Sequence, residues 1–116
     1  MDRPFKEDAL SVEYLRECFE YDAVHGYLLW KARPLTHFRN QKVMQAWNAK
    51  HRGLKAGSMK DIGKIEVSLN GDLYSAHRLI WKLVTGKSAT KRIRHRDGDN
   101  SFNRLANLEE YDGTRY

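Results

Sequence analysis

Residues 65–86 read IEVSLNGDLYSAHRLIWKLVTG, and three patterns within that run decide the local fold. Ile65, Val67 and Leu69 alternate with Glu66 and Ser68 at the period of two that a half-buried strand requires. Asn70-Gly71 is the pair that best tolerates positive φ at the two central positions of a hairpin turn, and Leu73, Tyr74 and Ala76 resume beyond it. From His77 onward, Ile80, Trp81 and Val84 recur at helical spacing, and Gly86 stands where a left-handed cap closes a helix. The run therefore predicts a β-hairpin with a helix packed across it, anchored by Trp81.

Upstream, Ser11 is placed to cap a short amphipathic helix whose apolar residues are Val12, Leu15 and Phe19, with Tyr14 and Cys18 alongside. A turn around Asp22 to Gly26 leads into Tyr27, Leu28, Leu29 and Trp30, a short aromatic run bounded by turn residues and Pro34, which reads as a strand. Residues 33–53 show no clean period, and they are either a functional loop or locally helical around Val43 to Trp47. With 116 residues, no internal repeat and no linker, the chain reads as one domain, 1–116, in the α+β class. Residues 11–86 form its scaffold and 87–116 its closing segment.

Charge is sorted along the chain, which matters more than the net +6. Residues 1–22 carry seven acids against three bases, whereas 31–60 hold eight bases and no acid, Lys50, Arg52 and Lys55 among them. Residues 87–96 add Lys87, Lys91, Arg92, Arg94 and Arg96, again without an acid. Such blocks suit a polyanion, because each cation that neutralises a phosphate releases a condensed counterion; a solvated face usually intersperses both signs. DNA is the expected partner and RNA an alternative.

No run is apolar enough to span a membrane, and the N-terminus lacks the pattern of a signal peptide, so an untargeted, cytoplasmic location is expected. The single cysteine, Cys18, excludes an intramolecular disulfide and a cysteine-cluster zinc site; it reads as a small core residue. His25, His37 and His51 read as loop histidines without carboxylate neighbours at ligand spacing, suited to surface or phosphate contacts.

Tyr21-Asp22, Gly26, Trp30, Trp47-Asn48, Ala56-Gly57, the hairpin, Ala76-His77-Arg78-Leu79-Ile80-Trp81 and Gly86 occur in an ordered series, closed by His95, Gly98, Asp99, Asn103, Arg104, Asn107 and Leu108. Over residues 11–110 this order resembles the small HNH endonucleases of phages and mobile elements. The resemblance implies a ββα-metal site in which two short strands and a helix hold one divalent ion, Mg²⁺ or another. It implies that His95 is the general base, since an imidazole can take a proton from water near neutral pH. Asn107 then braces the loop that orients this histidine, and His77 belongs to the scaffold.

Three positions depart from the family pattern. A metal-binding aspartate usually precedes the histidine, but here the residue is Arg94, whose guanidinium has no acceptor and repels a cation. The second ligand, expected on a following helix, falls at about Tyr116, leaving Asp97 and Asp99 as weaker candidates. Phe102 replaces a more usual polar residue and suits either stacking or core packing. Two expectations follow. One is a nucleic-acid-binding protein on the HNH scaffold with weakened or lost cleavage, either on its own or as a phage inhibitor or regulator of a host protein or nucleoprotein complex. The other is an active nicking endonuclease with His95 as general base; beside both stands a chain that swaps or borrows the missing helix from a partner, as a subunit of a larger nuclease.

Overall fold

The computed structural model describes residues 5–60, 64–98 and 103–111. Within them the order is α1 (Val12–Cys18), β1 (Phe19–Asp22), β2 (Tyr27–Trp30), α2 (Gln41–His51), β3 (Lys55–Ala56), β4 (Ser58–Met59), β5 (Ile65–Leu69), β6 (Asp72–Ser75), α3 (Ala76–Thr85), β7 (Arg92–His95) and β8 (Leu108–Tyr111), an α+β arrangement. The strands form three small antiparallel sheets, β1-β2-β3, β4-β5-β6 and β7-β8.

The predicted hairpin and helix are present. Asn70 and Gly71 have φ of 54° and 89°, and Gly86 ends α3 at φ 83°. Trp81 is not the anchor of that helix. Leu79, Ile80 and Leu83 are buried while Trp81 is only partly so and Val84 is exposed, because the inward stripe of α3 runs through Ala76, Leu79, Ile80 and Leu83.

Ser11 caps α1 by accepting a hydrogen bond from the Tyr14 backbone N–H at 3.0 Å. The helix stops at Cys18, and Phe19 opens β1, a strand that the helical spacing had absorbed. Residues 33–53 resolve in favour of a helix: Asn40 Oδ1 accepts from the Val43 N–H at 2.9 Å and starts α2. None of its residues is fully buried, so α2 lies on the surface, held through Trp47 and Asn48. Leu15, Cys18, Leu28, Val67, Leu69, Leu79 and Ile80 form the core, and Leu108 of β8 joins the same cluster, seating the β7-β8 pair against the scaffold.

Two buried cations tie α3 to the rest. Arg78 donates through Nε to Glu7, and through its two terminal nitrogens to the carbonyls of Lys91 at 3.0 Å and Ala89 at 2.9 Å. Lys82 donates to the carbonyls of Glu7, at 2.7 Å, and Leu10. Arg78 thereby sets where the chain enters β7.

Candidate functional site

In β7, Ile93 and His95 point inward while Arg92 and Arg94 point outward, as the period of two dictates. His95 is 9% exposed, and its Nε2 lies 2.6 Å from Asn103 Oδ1. An amide oxygen only accepts, so Nε2 is the donor in this bond, and the neutral tautomer that fits it carries its lone pair on Nδ1.

Asn107 closes the loop that follows. Its Nδ2 donates to Asp97 Oδ1 at 3.0 Å, its Oδ1 accepts from the Asp97 N–H at 3.2 Å, and its carbonyl accepts from the Arg96 N–H at 2.7 Å. The Gly98 N–H adds a bond to the His95 carbonyl at 3.0 Å. A side chain from the turn just before β8 thus fixes the backbone just beyond His95.

The scaffold holds the other end of the site. Tyr21 Oη donates to the Asn103 carbonyl at 3.0 Å and accepts from the Leu105 N–H at 2.9 Å, and Arg104 Nε donates to the Val24 carbonyl at 2.7 Å. Gly26 sits at φ 78°, and a Cβ there would stand 2.5 Å from the Arg104 nitrogen. Only glycine allows the β1-β2 turn to approach this closely. These contacts give Tyr21 and Gly26 a physical link to the Asn103-Arg104 dipeptide: they clamp the residue that holds His95.

His95 opens on a cleft of about 430 Å³ lined by Lys64, His77, Ile93, Arg94, Gly98 and Tyr111. The His77 ring meets the His95 ring edge-on, centroids 5.1 Å apart. Its Nδ1 is buried without a hydrogen-bond partner among the described residues. Burial pushes the His77 imidazole down to about 4, with His95, Lys64 and Arg78 adding repulsion, so it is neutral near pH 7. Position in the helix suggested a purely scaffold residue, but the fold gives His77 a wall of the cleft.

Arg94 does not stand free. Its Nε donates to Glu109 Oε1 at 2.6 Å, and Arg96 meets the other oxygen of Glu109 at 3.0 Å. The hydrogen bond from Arg94 holds the Glu109 carboxyl below its ordinary range, with both guanidinium charges adding to the effect. Glu110 accepts from the Thr90 N–H at 2.9 Å and the Lys91 N–H at 3.3 Å. A charge count that stops at residue 96 misses both acids. The antiparallel register sets Glu109 opposite Arg94 and is the signal that would have found it. Lys87, Lys91 and Arg92 are exposed, as are Lys50, Arg52 and Lys55, although the Lys55 ammonium rests 4.3 Å from the centre of the Tyr27 ring.

All three loop-assigned histidines depart from that reading: His25, in the β1-β2 turn, bonds Asp22 at 2.9 Å; His37, in a 3-10 turn with its side chain 2% exposed, bonds Glu17 at 3.0 Å; and His51 belongs to α2. Among the described residues no three His, Cys, Asp or Glu side chains are grouped to hold a metal ion. Asp97 is exposed and engaged by Asn107, while Asp99, Phe102 and Tyr116 lie outside the described residues. No described helix is long and apolar enough to cross a membrane.

A protein-family model described as HNH endonuclease matches residues 74–111, from Tyr74 on β6 to the end of β8. No curated protein and no solved structure matches the chain.

Proposed function

We propose that residues 74–111, an HNH endonuclease segment, bind the phosphates of nucleic acid, DNA before RNA, and that metal-dependent phosphodiester cleavage by this chain is weakened or lost. The observation that carries the reading is the lining of the His95 cleft. Lys64 and Arg94 flank two histidines, and no carboxylate is among its described lining residues. A hard divalent cation needs oxygen ligands, commonly from carboxylates. Arg94 offers none and brings a fixed positive charge, so the donor set does not fit the ion that the family uses. The same lining attracts a phosphate.

On this reading His95 retains what a general base requires, a lone pair on Nδ1 and a ring fixed through Nε2, and Asn107 keeps the adjacent loop in place. Lys91, Arg92 and Lys87 meet the backbone of the nucleic acid directly, while Arg94 and Arg96 do so in competition with Glu109. The intact His95–Asn103 bond and Asn107 brace favour one rival, a nicking endonuclease that uses His95 with Mg²⁺ or another divalent ion.

Fluorescence anisotropy with labelled duplex DNA separates the two by chelation. Affinity that is the same in EDTA and in Mg²⁺, and that falls steeply with salt, is expected for phosphate contacts made by cations alone. Affinity that requires the metal would place a ligand set in the cleft and contradict the proposal.

A further inference from the structure

A second cavity lies among β2, α2 and the β5-β6 turn. It measures about 430 Å³ and is lined by Trp30, Arg33, Phe38, Trp47, His51 and Ser68, with His37, Asn70 and Gly71 completing the wall. Nothing about the His95 cleft uses it.

Its centre is a buried guanidinium. Arg33 is 4% exposed, with its charge centre 4.7 Å from the Trp47 ring centre and 4.9 Å from that of Phe38. Its hydrogen-bond acceptors are neutral: His37 Nδ1 at 3.0 Å, Tyr14 Oη at 2.8 Å and Asn70 Oδ1 at 3.2 Å. Among the described residues no carboxylate lies within ion-pair distance, and Glu17 reaches this arginine only through His37. A buried charge ordinarily takes a carboxylate partner, and here aromatic faces stand in its place.

The rings also anchor α2, since Trp47 packs edge-on to Trp30 at 4.9 Å and against His51 at 4.5 Å. Anchoring explains the aromatics but not the unpaired charge beneath them. It does not explain the charge of the same stretch either: Arg39, Lys42, Lys50 and Arg52, none of which lines the cavity itself, are exposed on or beside this helix, in a stretch without an acid.

We infer that this cavity receives an unpaired base of a single nucleic-acid strand, stacked on the half-buried rings of Phe38 and Trp47, with the phosphates of neighbouring nucleotides on the exposed cations of and beside α2. The volume lies within the range of small-ligand sites. An unpaired base offers a π face next to a phosphate, the two features that the slot complements, whereas a duplex hides its base faces in the stack. The inference shares with the preceding reading only the class of ligand, and the surfaces are separate in sequence and in lining.

The test uses the full chain carrying Trp81→Phe, so that the remaining tryptophans, Trp30 and Trp47, both line the slot. An oligo(dT) strand should quench their emission with saturation, and thymidine 5′-monophosphate should bind at least about tenfold more weakly because it forgoes the cations beyond the slot. Ser68 is exposed at the lip, so Ser68→Glu adds a negative charge without disturbing the core. It should weaken oligo(dT) by about tenfold or more. Ser68→Lys should bind at least as tightly as the parent. Both variants should melt like the parent and bind duplex unchanged. Absence of quenching, equal affinity of Ser68→Glu and the parent, or a mononucleotide that binds as tightly as the strand would overturn the assignment. Loss of duplex binding in Ser68→Glu would instead make the two surfaces one and overturn their separation.

Discussion

Arg78 and His77 are neighbours on α3 whose side chains meet different demands. Arg78 is buried against Glu7 and two carbonyls, and it also stands over the Phe5 ring at 3.6 Å. Removing one partner of a buried ion pair strands the other, so Arg78→Met should cost about 3–5 kcal/mol in urea denaturation. Arg78→Lys should recover little of it, because an ammonium cannot span all three acceptors as the guanidinium fork does. A loss below about 1 kcal/mol would mean that the Glu7 pair contributes nothing. His77 carries a pH signature instead. Its pKa is depressed from 6.5 to about 4 in the fold, so the unfolded chain takes up a proton first as pH falls. The stability associated with a neutral His77 is therefore fully present above 6.5 and is lost as pH falls through about 4, on the order of 3 kcal/mol in all. His77→Phe should flatten that part of the acid limb in melts recorded between these limits. An unchanged limb would place the titration elsewhere.

At the scale of elements, the β7-β8 pair decides how the site is charged. The basic run of 87–96 was legible in sequence, but its neutralisation was not, because Glu109 reaches Arg94 only through the antiparallel register. If Glu109 restrains both guanidinium groups, Glu109→Gln should raise affinity for duplex DNA. It should also steepen the slope of log K against log salt by about one to two, as one or two more phosphates are contacted. An unaltered slope would show that Arg94 and Arg96 face away from the nucleic acid. The hairpin, α3 and the caps of α1 were legible for local reasons: a period of two, a turn dipeptide with positive φ and a hydroxyl at the N-cap. Strand β1 was hidden because Phe19 continues the spacing of α1. Helix α2 stood as one of two readings because it buries no residue, so amphipathic periodicity has little to record, and only the Asn40 cap marks its start. Trp81 shows the same limit in reverse, since size and spacing suggested an anchor where the core takes Leu79, Ile80 and Leu83.

Across the whole molecule, the scaffold and the closing segment meet at the His95 loop: Tyr21 and Gly26 clamp Asn103-Arg104, and Arg78 fixes the chain at Ala89 and Lys91. The ordered residue series pointed to the HNH pattern that a family model matches over residues 74–111, while the composition of the cleft required the fold, since Lys64 and His77 are remote from His95 in sequence. That composition underlies the central claim, that the site draws phosphate but does not fit a divalent ion. The most direct measurement is the nicking of supercoiled plasmid by the purified chain in Mg²⁺ or Mn²⁺, with EDTA and His95→Ala as controls. Loss of a single electrostatic stabiliser elsewhere costs about 10²–10³ in rate, so feeble nicking, or none, is predicted alongside DNA binding that survives EDTA. Robust nicking in Mg²⁺ that EDTA abolishes and His95→Ala eliminates, in preparations of equal purity, would contradict it.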